Sequence, residues 1–104
     1  MNNGIIKYNY LYYRQDGLCA ICGTLMSLNE KLDMHHKCRR HKWRLKKFPL
    51  FIDSIINLEL CHHDCHLSKD GGHISDYQAE RYEIFLRNHP KKCSFVNNPV
   101  GNYL

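Results

Sequence analysis

Two short segments of this chain are dense in metal-binding side chains, and they constrain the fold more than any other feature. The first is a CxxC pair, Cys19 and Cys22, followed directly by glycine. The second is the stretch 57–66, NLELCHHDCH, in which cysteine and histidine occupy five of the last six positions. Two ligands from each of two segments make up many tetrahedral zinc sites. The sequence therefore predicts that one structural zinc ion ties two distant parts of the chain together.

A structural zinc ion would add stability that a chain of this length needs. At 104 residues it is expected to form one domain, and a domain of this size buries only about two-thirds of its unfolded surface. Residues 1–9 contain no apolar segment of secretory length, and no run reaches transmembrane length. We therefore predict an intracellular protein (in the cytoplasm, a phage-infected cell or an organelle) that is not secreted and has no membrane partner. In a reducing compartment, a CxxC pair without a surrounding βαβ pattern favours metal binding over a disulfide or redox role.

The residues alone leave the third zinc ligand open. Cys61 and Cys65 are four positions apart, which is an awkward spacing for a zinc knuckle, whereas His62 and Cys65 have the usual separation of three. If His62 is the ligand, Cys61 is expected to be a small buried hydrophobic residue. Cys38 and Cys93 have no partner at ligand spacing and are expected to play no part in the site.

Periodicity predicts an α+β fold. A helix is expected over about 5–15 and a strand over Glu30–Met34, which ends in the His35-His36 pair. A wide loop with a short apolar anchor follows, and Asn57 opens a second strand, Leu58–Leu60. A short helix is expected from an Asp64 N-cap to Gly71-Gly72.

The C-terminal third is predicted to contain one more helix. Ser75 and Gln78 form a capping-box signature for a helix over about 76–88, and its buried face is expected to carry Tyr82, Phe85 and Leu86. The tail 91–104 is predicted to be irregular, because it is rich in Asn, Pro and Gly.

Positive charge is concentrated next to the histidine pair. The formal net charge is +5, and seven of the fifteen Lys and Arg residues lie between Lys37 and Lys47, around Trp43. Such a run can be an ordinary solvated face, but its position beside His35-His36 favours a surface that contacts phosphates. The residues expected to contact nucleic acid are Lys37, Arg39, Arg40, Lys42, Arg44, Lys46, Lys47 and Lys69.

The order CxxC, then HH, then NLxLxHxxCHxxK resembles the HNH endonucleases, which are ββα-metal (His-Me finger) nucleases with a zinc knuckle. The resemblance covers residues 19–69, about half of the chain, and is closest to the HNH domains of group II intron proteins and to small homing and phage nucleases. It implies a zinc-stapled core at about 17–72 with flanking helices, all within a single HNH nuclease domain spanning 1–104. In the family the third and fourth zinc ligands lie five and eight residues after the asparagine, which here are His62 and Cys65.

The same resemblance implies a divalent-cation-dependent endonuclease that hydrolyses double-stranded DNA. His36 is expected to activate water, while His35 and His66 hold the catalytic Mg²⁺, Mn²⁺ or Ni²⁺. Asn57 is expected to hydrogen-bond backbone across the loop and hold the strand of the base in place. Choosing His35 as the base would put a thioether, Met34, in the ligand position, and a thioether suits a hard cation poorly. The alternative function is a noncatalytic zinc module that binds nucleic acid.

Overall fold

The computed structural model describes residues 3–68 and 73–97, and within these ranges the fold is a small α+β arrangement. In chain order the elements are α1 Asn3–Arg14, β1 Leu32–His36, α2 Lys42–Lys47, a 3₁₀ turn Ile55–Asn57, β2 Leu58–His62, α3 His63–Ser68, α4 Asp76–Asn88 and α5 Pro90–Asn97. No helix in the described ranges is both long enough and apolar enough to cross a membrane.

The sheet is a two-stranded antiparallel ladder that brings the two ligand-rich segments together. His35 lies opposite Glu59, and Leu32 lies opposite His62. β2 runs two residues beyond the predicted Leu58–Leu60, and β1 starts at Leu32 rather than Glu30. In this register the end of β1 lies beside the start of β2, and His62 ends the ladder at the other side. The ladder therefore separates the histidine pair from the predicted zinc ligands by the length of one short strand.

Helix α1 closes the outer edge of β2. The Gln15 side chain donates to the Leu60 carbonyl at 2.9 Å and accepts from the Leu60 N–H at 2.7 Å, as a neighbouring strand would. Arg14 donates to the Leu58 carbonyl at 2.7 Å. Leu11 is fully buried in the core that α1 shares with the sheet. An exposed strand edge would leave unpaired backbone groups, so these bonds fix β2 and everything that it carries.

Helix α4 has the predicted bounds and capping box, but it presents a different face to the core. Gln78 and Ser75 exchange both bonds of the box. The buried residues are Ala79, Glu83 and Leu86, whereas Tyr82 and Phe85 are 39% and 40% exposed. The prediction that Tyr82 and Phe85 are buried was therefore wrong.

The Glu83 carboxylate accounts for this rotation of α4. One of its oxygens accepts hydrogen bonds from the backbone N–H groups of Leu50 and Phe51, both at 2.9 Å. Tyr82 lies over the Phe51 ring with the ring centroids 4.9 Å apart. The buried donors of the loop are satisfied by the helix, so Glu83 faces inward and the two aromatic rings lie at the boundary.

Two helices occupy segments that were predicted to be irregular. α2 lies within the predicted wide loop, and Phe48, Phe51 and Ile52 behind it are buried as the expected apolar anchor. α5 shows that the prediction of an irregular tail was wrong for 91–97. Proline is favoured in the first turn of a helix, where its missing N–H costs nothing, and Pro90 occupies that place in α5. Residues 98–104 lie outside the described ranges.

The helix after β2 begins one residue early. α3 starts at His63, so the predicted N-cap Asp64 lies inside its first turn. The predicted stop at Gly71-Gly72 lies outside the described residues. The early start continues β2 into α3 without a loop, which brings His63 and His66 back over the sheet.

Candidate metal centre and the adjoining histidine cleft

Four of the predicted zinc ligands meet at one end of the sheet. The ligand atoms of Cys19, Cys22, His62 and Cys65 all lie within 4.8 Å of one another. The His62 Nδ1 atom is 3.4 Å from the Cys22 sulfur and 3.8 Å from the Cys65 sulfur. Three thiols and one imidazole are a common donor set for structural zinc, and four protein ligands leave no position open for substrate. This cluster could hold a structural zinc ion.

The turn that carries Cys19 and Cys22 is closed by backbone bonds. Cys19 N–H donates to the Thr24 carbonyl at 2.8 Å, and Gly23 N–H donates to the Cys19 carbonyl at 2.9 Å. Gly23 has a φ of +75°, a conformation that residues with a side chain rarely adopt. The CxxCG pattern therefore folds the chain back on itself and aims both sulfurs to the same side.

Neighbouring groups orient the ligands. Backbone N–H groups point at the Cys19 sulfur, including those of Ile21 at 3.4 Å and His62 at 3.5 Å. The Glu30 carboxylate lies 3.7 Å from His62 Nε2, the nitrogen that faces away from the cysteines. Metal-binding histidines commonly have a carboxylate or carbonyl at the second ring nitrogen, which fixes the ring and the tautomer. At 3.7 Å the Glu30 carboxylate is near enough to attract this nitrogen but too far away to accept a hydrogen bond from it.

Cys61 is not part of this cluster. It is fully buried, and its thiol points at the Asp33 carbonyl, 3.7 Å away. Burial and the nearby Cys19 thiol raise the pKa of Cys61 to about 12, whereas hydrogen bonding with Thr24 lowers the pKa of Cys22 to about 6. The Cys61 sulfur is not among the ligand atoms that lie within 4.8 Å of one another, whereas a His62 ring nitrogen is. The structure thus selects His62 between the two candidates.

A polar cleft of about 270 Å³ opens at the other end of β1. The predicted catalytic residues His35, His36 and His66 all line it, and the rings of His35 and His66 meet edge to face with centroids 5.1 Å apart. The remaining lining residues are Met34, Arg39, Arg40 and His41. The cleft therefore combines four imidazoles with two guanidinium groups, which is a set that can bind an anion and transfer a proton.

Asp33, which sequence reasoning missed, orients the helix side of this cleft. Its Oδ2 atom lies 2.9 Å from His66 Nδ1 and 2.8 Å from His63 Nδ1. Burial works to raise the pKa of Asp33, but the hydrogen bonds from His66 and His63 outweigh it and the pKa is lowered. A carboxylate only accepts, so His66 carries its proton on Nδ1 and has its lone pair on Nε2. The strand alternation could have shown that Asp33 shares a face with His35.

Asp53, a second residue that the sequence did not reveal, orients His36. The His36 Nε2 atom lies 2.9 Å from Asp53 Oδ1, and Arg40 donates to the same oxygen at 3.0 Å. Burial would raise the pKa of Asp53, but the bonds from His36 and Arg40 lower it. A carboxylate only accepts, so His36 donates this bond from Nε2, and a neutral ring would then have its lone pair on Nδ1.

Another group of potential metal ligands adjoins the cleft. The ligand atoms of His35, Glu59 and His73 lie within 4.8 Å of one another. Neither His73 nor Glu59 is among the site residues that the sequence predicts. Burial lowers the pKa of His35, with the neighbouring Glu59 opposing this shift and His66 adding to it. His35 is thus favoured as the neutral imidazole, the form that binds a cation.

No protein-family model, no curated protein and no solved structure matches this chain. The proposed function therefore depends on the residue pattern and on the geometry of the two adjoining sites.

Asn57 makes the hydrogen bonds across the loop that the sequence predicts. Its side-chain oxygen accepts from the Cys38 N–H at 2.7 Å, and its amide donates to the carbonyls of Cys38 at 3.1 Å and Ile52 at 2.8 Å. Its own carbonyl accepts from Lys37 N–H at 2.7 Å. This fully buried amide joins the residues just after His36 to the start of β2.

Replacing Asn57 with alanine should therefore destabilise the fold. Three buried backbone groups would lose their partner, and unsatisfied buried groups cost about 1–3 kcal/mol each. We expect the free energy of unfolding to fall by about 3 kcal/mol in urea titrations at saturating zinc. Asn29→Ala, at an exposed turn position, is the matched control and should change the stability by less than about 0.5 kcal/mol. Equal stability of the two variants would contradict this account of Asn57.

The predicted nucleic-acid-binding residues divide into two groups. Lys37 and Arg44 are half-buried, and Arg44 donates to Asp76 at 2.8 Å, so it also ties α2 to α4. Lys69 lies outside the described residues. The exposed members are Arg39, Arg40, Lys42, Lys46 and Lys47. Trp43 is half-exposed between them, with the Arg44 guanidinium 4.7 Å above its ring.

Proposed function

We propose that this protein is a divalent-cation-dependent endonuclease of the HNH type that hydrolyses phosphodiester bonds in double-stranded DNA. The observation that carries the proposal is the cleft in which His35, His36 and His66 converge with Arg39 and Arg40. The adjoining Cys/His cluster and the antiparallel ladder support it, because they fit the zinc-stapled ββα core that the HNH resemblance implies. In that reading β1, β2 and α3 are the ββα unit.

His36 acts as the general base in this proposal. Its Nε2 atom is committed to Asp53, so the lone pair on Nδ1 can accept a proton from the attacking water. An imidazole titrates near neutral pH, which suits a group that must take and then release a proton. Arg40 is held by the same carboxylate and, with Arg39, places positive charge where a phosphate would enter the cleft.

His35 and His66 would hold the catalytic cation. The residues fit this role, because His66 donates from Nδ1 to Asp33 and has the Nε2 lone pair available. His35 lies in edge contact with it. A divalent cation there supplies charge neutralisation at the phosphate and at the departing oxygen. Asp33 fixes the tautomer and orientation of His66, as second ring-nitrogen partners of metal-binding histidines do.

The charge distribution supports a nucleic-acid substrate, and the HNH resemblance implies DNA. The exposed basic residues of 39–47 follow β1, and two of them, Arg39 and Arg40, line the cleft. Contacts from such residues go to phosphates and give affinity without sequence selectivity. The resemblance implies docking on the minor groove and products with 5′-phosphate and 3′-hydroxyl ends. The homing or intron-encoded nucleases that share the motif are the nearest functional parallel.

Supercoiled plasmid incubated with the zinc-loaded protein tests the proposal. We expect nicked or linear product in Mg²⁺ and none in EDTA, with activity that co-elutes with the protein in gel filtration. Because the ligands are rich in nitrogen, Mn²⁺ or Ni²⁺ should also support cleavage. Ends that T4 ligase can reseal directly would establish the 5′-phosphate. Plasmid binding without cleavage in any of these metals would instead support the noncatalytic zinc module.

A further inference from the structure

Glu59 is an unusual residue to find beside the histidine cleft. It lies directly opposite His35 in the ladder, and its side chain is only 13% exposed. Its Oε1 atom is 3.8 Å from His35 Nε2, which is too long for a hydrogen bond. Among the described residues, no side chain or backbone group donates a hydrogen bond to this carboxylate. Lys37 and Arg14 act on it only through longer-range attraction.

A carboxylate that accepts no hydrogen bond from the described groups keeps its lone pairs available for a directly bound cation. Around a first-row divalent ion, ligand atoms at about 2.0–2.2 Å are about 3–3.5 Å from one another. The 3.8 Å separation of the Glu59 oxygen and the His35 nitrogen is close to that range. Small side-chain rotations would bring both atoms to one ion.

His73 reaches the same place from the other side. The Ile74 N–H donates to the Lys37 carbonyl at 3.1 Å, which ties the segment after α3 to the residue that follows β1. As a result, the ring nitrogen of His73 comes within 4.8 Å of the ligand atoms of both His35 and Glu59. Three chain segments thus converge, although His73 is 38 positions from His35 and was not expected to take part.

We propose that Glu59 and His73 complete, with His35, a three-residue site for a divalent transition-metal ion. This inference rests on the proposed function in that it assigns two further ligands to the catalytic cation, beyond His35 and His66. One carboxylate and two imidazoles favour Mn²⁺, Fe²⁺, Co²⁺, Ni²⁺ or Zn²⁺ over Mg²⁺, which prefers oxygen ligands. His66 borders the site and can serve as a fourth ligand.

Mn²⁺ titration of the zinc-loaded protein, followed by room-temperature electron paramagnetic resonance, tests this assignment. The six-line signal reports the unbound ion, and Mn²⁺ stands lowest in the affinity series, so it does not displace zinc from thiolates. We expect the wild-type chain to bind one Mn²⁺. Glu59→Gln and His73→Ala should each weaken that binding by at least about tenfold. Glu80→Gln and His89→Ala, at exposed positions of the C-terminal helical region, should bind as the wild type does.

The outcomes separate this inference from the nuclease proposal. Unchanged Mn²⁺ affinity in both Glu59→Gln and His73→Ala, or no binding by the wild type, would overturn the site even if plasmid is cleaved. Binding that both substitutions weaken, in a protein that cleaves nothing, would support the site while the nuclease proposal fails. Glu59→Gln keeps the size of the side chain and His73 is exposed, so both variants should retain one zinc per chain and the wild-type circular dichroism spectrum.

Discussion

Removing zinc from the Cys/His cluster should unfold this domain. The cluster Cys19, Cys22, His62 and Cys65 joins the CxxC turn to the end of β2. The binding free energy of structural zinc is on the order of 10 kcal/mol in zinc-finger peptides. That is comparable with the whole free energy of unfolding of a small domain, about 5–15 kcal/mol. Incubation with a strong chelator should therefore abolish most of the helical circular dichroism, and added zinc should restore it.

Single substitutions distinguish a folding role from a general effect of the chelator. Cys22→Ser and Cys65→Ser should each reduce bound zinc well below one per chain and cause the same loss of structure at 25 °C. Cys93→Ser is the matched control, because Cys93 is half-buried at the edge of the core and lies outside the cluster. It should keep full zinc content. A wild-type protein that loses all zinc and keeps its spectrum and urea midpoint would refute the structural role.

The Cys/His cluster could be predicted because each pair of its ligands lies within one short segment of the sequence. CxxC and HxxC each place two ligands on one turn, and the length of the intervening chain matters little as long as both turns can meet. The choice of His62 over Cys61 followed from the HNH resemblance, which implies a third ligand five residues after Asn57. In the structure this choice appears as strand alternation: β2 turns Cys61 into the core and His62 toward the cysteines. The two strands and α4 were predictable for similar reasons, from short-range periodicity and capping residues.

The partners of the cleft histidines could not be predicted in the same way. Asp53 reaches His36, and Asp33 reaches His66, only after the ladder register and the path of the loop are fixed. A change of register by one residue would turn these side chains to the opposite face. The sequence places all four residues within 34 positions without indicating which carboxylate meets which imidazole.

The orientation of α4 shows that the need to satisfy buried backbone N–H groups can outweigh the burial of aromatic side chains. Hydrophobicity favoured burial of Tyr82 and Phe85, but the backbone N–H groups at Leu50 and Phe51 needed an acceptor. An unsatisfied buried donor costs more than partial exposure of an aromatic ring, which can still pack along one face. Glu83 consequently points inward. Hydrophobic periodicity alone therefore does not predict which face of an amphipathic helix is buried. Backbone N–H groups in the segment beneath the helix can require a polar side chain on the inner face.

His36→Ala should reduce plasmid cleavage by about 10²–10⁴-fold, the usual contribution of a general base. The His36 side chain is 25% exposed and, among the described residues, hydrogen-bonds to Asp53 alone, so its removal should leave the fold intact. Zinc content, plasmid affinity in EDTA and Mn²⁺ binding should all match the wild type. The rate is measured from the disappearance of supercoiled plasmid at saturating protein, which reports the chemical step rather than binding.

The matched comparison for this variant uses two further substitutions. His89→Ala removes an exposed histidine that bonds only the Phe85 carbonyl of its own helix, and it should cleave at the wild-type rate. Asp53→Asn keeps the size of the side chain but loses the carboxylate that fixes the His36 tautomer, and it should cost about 10–100-fold. A loss in His36→Ala no greater than in His89→Ala would remove His36 as the base. If His36→Ala lost all DNA binding, the imidazole would instead be assigned to substrate binding, because a base acts only after the phosphate is in place.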